Sequence, residues 1–188
     1  MKAFTKKPAT YDDIRQLPEG MNGELVDGQL FAWPRPTMGH AHLAGVLLYE
    51  LHGSFDLGKG VHGRWWIFRE PELHFGPNVV IPDLAGWRRE RLPKMPDVPF
   101  MELAPDWICE ITSRSTASFD RVNKLPVYLK AGVAFAWLVD PTSRTIEALQ
   151  KVKDHWTLIG NFPGDAPARI EPFEAHEFDL STLWLEDG

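Results

Sequence analysis

The segment Trp107-Ile108-Cys109-Glu110-Ile111 restricts the possible folds of this chain more than any other stretch. Its residues are mostly of the kind that fill an interior, so it reads as a buried strand. A second run, AFAWLVD at 134–140, is almost wholly apolar, as a central strand should be. Strands of this type need further layers packed against them. Glu110 is the exception within the first run, because a buried carboxylate without a partner is expensive. Thr112 lies two residues on, where a strand returns to the same face.

Around these two runs the sequence alternates helical and strand patterns. TYDDIRQL (10–17) reads as a short helix capped by Thr10 with acids in its first turn. GELVDGQLFAW (23–33) carries apolar residues on both sides of Asp27-Gly28, a tight-hairpin signal. From Thr37 to Leu51 the positions Leu43, Val46, Leu47 and Leu51 recur at helical spacing, and Gly53 is placed to end that helix. RWWIFRE and VVIPDLAGW, within 64–87, read as two strands across a Pro/Gly-rich loop. Thr116 to Ala131 is a predicted helix ended by Gly132, with Pro126 opening a turn or bending it. TIEALQKV and HWTLIGNF supply two more strands, and FDLSTLW a last short element. The order predicts one α/β domain over 1–188, a mixed sheet flanked by helices with an N-terminal helix and hairpin.

Composition narrows the function. The net charge of −6 disfavours broad adhesion to nucleic acid, which needs clustered Lys and Arg. WRRERLPK (87–94) offers a local basic face or, with acids nearby, only a solvated loop. A single cysteine, Cys109, excludes an intramolecular disulfide and any multi-cysteine zinc site, and its neighbours suggest a packed thiol. The first residues lack the apolar core of a signal peptide, and no run approaches the ~18 apolar residues of a membrane span. A cytoplasmic location is expected. No GxSxG elbow, Walker-type loop or GxGxxG motif occurs.

Three acids interrupt strand-like surroundings: Glu24 at the start of the hairpin, Asp83 after Pro82, and Glu110. Carboxylates at the ends of adjacent strands suit Mg²⁺, which prefers oxygen ligands and can activate water for phosphoryl chemistry. Each acid taken alone reads first as an exposed or salt-bridged strand end; only the combination points to a metal. Asp120 and Lys124 stand four apart on a helix and can pair on one face. The remaining histidines, at 52, 62, 74, 155 and 176, show no metal-ligand spacing. Ser113 to Thr116 reads as a polar helix entry whose hydroxyls and amides can also touch a phosphate.

GELVDGQLFAWPRPTMGHAHLAG, IPDLAGW, APDWICEITSRST and DRVNKLPVYLKAGVAFAWLVDP resemble, in order, the motifs of the Uma-two family. These bacterial proteins are classed with the restriction-endonuclease-like PD-(D/E)XK nucleases. The resemblance implies that Asp83 and Glu110 hold Mg²⁺ or Mn²⁺, with help from the Ile111 carbonyl. It implies catalytic roles for both, with Glu24 as an additional ligand or water-orienting group. The superfamily pattern expects a lysine at 112, where Thr112 stands; Lys124 is the leading replacement. His40 matches a family histidine, and with Ser113 and Thr116 is a candidate substrate contact. His40 and His42 are not expected to chelate together, since i and i+2 point to different helix faces. The expected activity is endonucleolytic hydrolysis of DNA by a homodimer. A catalytically inactive nuclease-like fold serving as a binding or assembly module is the alternative, and a hydrolase of small phosphorylated compounds a third.

Overall fold

The computed structural model describes residues 7–57 and 64–185; His62 lies outside them. Among the described residues ten strands form two sheets. Strands β1 (Met21–Val26), β2 (Gln29–Pro34), β4 (Leu73–Phe75) and β5 (Asn78–Val80) make a four-stranded sheet in the order β2-β1-β5-β4. Strands β3 (Trp65–Arg69), β6 (Leu84–Arg88), β7 (Trp107–Ile111), β8 (Phe135–Asp140), β9 (Thr145–Val152) and β10 (His155–Pro163) make a six-stranded sheet in the order β10-β9-β8-β7-β6-β3. Only β7 and β8 pair in parallel, joined by a helical crossover; the other pairs of named strands are antiparallel.

The local chemistry explains most of these elements. Asp27 and Gly28 both take positive φ, at 49° and 74°, which a tight hairpin turn with the right twist demands. At the first helix, α1 (Tyr11–Arg15), the Asp13 carboxylate accepts bonds from the Thr10 amide and hydroxyl. The long helix α2 (Met38–Leu51) begins where the Thr37 hydroxyl accepts the His40 amide. It lays Leu43, Ala44, Leu47 and Leu51 against one face of the large sheet. Trp107, Cys109, Trp137 and Val139 meet that helix face, while the alternate residues Ile108, Ala136 and Leu138 turn to the other face. On that second face lie α3 (Ala117–Phe119) and α4 (Leu125–Ala131), which pack Phe119, Leu125 and Tyr128. Gly132, at φ 95°, ends α4 in the left-handed conformation. The tail contributes Phe178, Leu180, Leu183 and Trp184 to the first core.

Two expectations are corrected and one open alternative is decided. Gly53 does not end α2: the chain runs on as a π-helical turn, His52–Asp56, because Phe55 is buried against Phe173, 4.8 Å away. Gly53 is not among the glycines with positive φ, so it provides no stop. The expected single strand VVIPDLAGW is two strands in different sheets, β5 and β6, separated at Ile81-Pro82-Asp83. Pro82 has no amide to continue a ladder. Finally, of the two readings open for 87–94, the basic face is not the one formed. Arg89 stacks on Trp66 at 3.6 Å and bonds to Asp56, and Arg91 pairs with Asp106 at 2.8 Å. Arg88 lies over Trp65 at 4.8 Å.

Candidate active site

The break before β6 decides where Asp83 goes. Its Oδ2 accepts the Ile111 amide at 2.7 Å, so its carboxylate touches the backbone immediately after Glu110. Its Oδ1 pairs with His40 Nε2 at 2.6 Å, tying the site to the first turn of α2. Burial alone would make the His40 imidazole easier to deprotonate, but the bond and charge of Asp83 outweigh it and raise its pKa. His42 is exposed and takes no part.

Glu110 lies on the face of β7 that meets the crossover helix. Its Oε1 accepts the Tyr128 hydroxyl at 2.6 Å and Lys124 Nζ at 2.9 Å. Glu24 enters from β1; its Oε1 accepts the Ile81 amide at 2.7 Å and Lys124 Nζ at 2.8 Å. Lys124 completes its third bond with the Ile81 carbonyl at 3.1 Å, so all three ammonium protons are used. The three charged residues are 3% to 6% exposed. Buried ions tolerate such burial only when paired and hydrogen-bonded.

The crossover helix explains how Lys124 arrives there. Between α3 and α4 the chain makes a π-helical turn, Asp120–Lys124. Pro126 follows at the start of α4 and has no amide to offer the Val122 carbonyl. A widened turn of this type is frequent at functional sites. The change of pitch removes the expected surface pair between Asp120 and Lys124, and both side chains are buried. Lys124 reaches across to Glu24 and Glu110. Thr112 is buried on the same strand face, its hydroxyl on the Val139 carbonyl.

The electrostatics follow from three acids around one ammonium. Burial raises the Glu110 pKa well above the usual carboxylate value; Lys124 opposes the rise, and Asp120, Asp83 and Glu24 add to it. Asp120 is pushed up to about 6, by burial more than any other cause. For Lys124, burial is outweighed by Glu110, Glu24 and Asp120, so the ammonium is held above its ordinary value. Lys124 is therefore a fixed cation at neutral pH and not a proton acceptor. Burial likewise pushes up the Cys109 thiol, which packs as a small apolar group.

Glu24, Asp83, Glu110 and Lys124 line one cavity of about 740 Å³, with His40, Ser113 and Thr116 also in its wall. Ser113 and Thr116 bond each other reciprocally, each hydroxyl accepting the other's amide at 3.1 to 3.2 Å. Sequence reasoning missed Tyr128 and the burial of Asp120. The available signal was the four-residue spacing of Asp120, Lys124 and Tyr128 along one helix.

The donor set bears on the divalent cation that the resemblance implies. Among the described residues no three His, Cys, Asp or Glu side chains gather closely enough to enclose a metal. Mg²⁺ does not need such a cage: one or two carboxylates suffice, with waters and substrate phosphates completing its shell. Glu110 Oε2 has no hydrogen bond among the described residues, and each Asp83 oxygen accepts only one. An all-oxygen set with excess negative charge fits Mg²⁺ or Mn²⁺.

A mixed sheet flanked by helices, with acids at the break before one strand and in the next, defines a restriction-endonuclease-like α/β fold. Residues 9–182 match the family model Uma2, described as "Putative restriction endonuclease", and the chain belongs to that family. Its fold is similar to the crystal structure of a "putative nuclease belonging to DUF820" from Anabaena variabilis, at TM-score 0.74 and 21% identity. That match covers 94% of this chain and 98% of the other. No curated protein matches. Among the described residues no helix is long and apolar enough to cross a membrane.

Proposed function

We propose that the chain is a metal-dependent endonuclease that hydrolyses phosphodiester bonds of DNA. The observation that carries this reading is Lys124, buried between Glu24 and Glu110 in the cavity that Asp83 also lines. A nuclease site of this class needs two carboxylates and one fixed cation, and the chain supplies the cation from a helix where the strand offers Thr112.

Asp83 and Glu110 are the residues that would hold Mg²⁺ or Mn²⁺. When bound, such an ion offsets charge on a phosphoryl oxygen and lowers the pKa of water. The chain's own residues do the rest. Tyr128 and Lys124 fix Glu110 through one oxygen, and the Ile111 amide and His40 fix Asp83. Lys124 stabilises the negative charge that develops on the non-bridging oxygens. It reaches one by exchanging an acceptor, the Ile81 carbonyl being its longest bond. Glu24 holds Lys124 in place and orients water. Ser113 and Thr116 present hydroxyls to flanking phosphate. A homodimer would carry two such sites.

The test is cleavage of supercoiled plasmid and of single-stranded DNA in Mg²⁺ or Mn²⁺ by the wild type, Asp83→Asn and Glu110→Gln. Cleavage by the wild type alone supports the proposal. Equal activity in all three, or none in any, rejects it, and in the latter case favours a binding module built on a nuclease fold.

A further inference from the structure

We infer that the substrate of this site is single-stranded DNA, whose bases stack on Trp33 as the chain enters the cavity; this rests on the nuclease reading above. The reacting groups are recessed. The side chains of Glu110, Lys124 and Glu24 are 4%, 4% and 7% exposed, at the bottom of the 740 Å³ space. A space of that size encloses a drug-sized ligand. It takes a nucleotide or two at a time.

The mouth has the parts that single-strand binding uses. Strand β2 is the edge of its sheet; its last residues, Trp33 and Pro34, and the Arg35-Pro36 that follow them line the cavity wall. The two prolines stiffen that wall. Trp33 is half-buried, with its ring 5.3 Å from Phe119, and its indole N–H has no partner among the described residues. It is a pre-positioned aromatic surface, and base–aromatic stacking is how sequence-tolerant single-strand binders hold bases. Arg35 follows two residues on, and Arg114, in the turn after β7, lines the same cavity. Both are exposed and neither has an ion pair among the described residues. The arginines of 88–91, by contrast, are engaged with aromatic rings and acids elsewhere. Two free guanidiniums suit two phosphates of one strand. A duplex footprint would need many more cations than a chain of net charge −6 places here.

The test is fluorescence anisotropy of the full chain in EDTA with labelled short oligo-dT and with a blunt hairpin duplex of equal phosphate number. The single strand is expected to bind at least about tenfold tighter. Trp33→Ala weakens that binding roughly five- to hundredfold, and Trp33→Phe retains most of it. The slope of log affinity against log salt is about −1.4, for two phosphate contacts at about 0.7 each. Duplex binding as tight as single-strand binding, no binding of either, or unchanged affinity in both Trp33 variants overturns the inference. A wild type that binds single strands in this way yet cuts nothing in Mg²⁺ or Mn²⁺ upholds the single-strand site at Trp33 and rejects the nuclease reading, leaving that strand a ligand and not a substrate.

Discussion

Replacing Lys124 with methionine tests the electrostatic core of the site. The methionine fills most of the volume of the lysine stem but removes the ammonium that bonds Glu24 at 2.8 Å and Glu110 at 2.9 Å. Two carboxylates, 6% and 3% exposed, are left without their shared cation. Removing one partner of a buried ion pair costs about 3–5 kcal/mol. In a chain of this length that lowers Tm by on the order of 10 °C. The loss depends on pH in a defined direction. The folded-state pKa of Glu110 already lies above its unfolded value, and loss of Lys124, which lowers it, moves it higher. A carboxyl group raised in this way contributes stability below its unfolded pKa and loses it as pH rises through the folded value. The gap between wild type and Lys124→Met is therefore widest at pH 8 and narrows toward pH 5. Urea denaturation of both proteins at the two pH values measures it. A difference under about 1 kcal/mol at pH 8 would place Lys124 in the class of exposed pairs. A gap that widened on acidification would refute the charge argument outright.

Tyr128→Phe removes a fully buried hydroxyl whose acceptor keeps Lys124, so denaturation should show a loss of about 1–2 kcal/mol, with weaker Mn²⁺ binding by calorimetry. Asp120, with its pKa raised to about 6, destabilises the fold as pH rises through the window from its ordinary value to 6. Asp120→Asn should accordingly stabilise by roughly 1–3 kcal/mol at pH 8 and have almost no effect at pH 4, read from paired urea curves. Phe173, fully buried among Phe55, Trp65, Trp107 and Trp137, should cost about 3–5 kcal/mol as Phe173→Ala, seen as a lower Tm.

The parts of the fold governed by neighbouring residues were readable from sequence. Asp27-Gly28 states its own turn, Gly132 its own helix end, and the apolar run at 134–140 its central place. Parts governed by distant packing were not. Gly53 looks like a stop, but the burial of Phe55 carries the helical path through it. VVIPDLAGW is apolar on both sides of Pro82, and nothing local assigns its two halves to different sheets. The same limit applies to the site. Asp83, Glu110, Glu24 and Lys124 were visible as residue types in suggestive places, and the fold gathers all four. Their mode of contact was hidden in the helix: four-residue spacing pointed Lys124 at Asp120, whereas the π-helical turn ahead of Pro126 sends it inward. Tyr128 reads as ordinary core until its hydroxyl is seen on Glu110.

The claim that Asp83 and Glu110 form one cation site beside Lys124 is tested most directly by titrating Mn²⁺ into the wild type, Asp83→Asn and Glu110→Gln in a calorimeter. The account predicts saturable binding in the wild type that is lost in each variant, with all three proteins equally folded by circular dichroism. Binding that survives either substitution in a folded protein would contradict it.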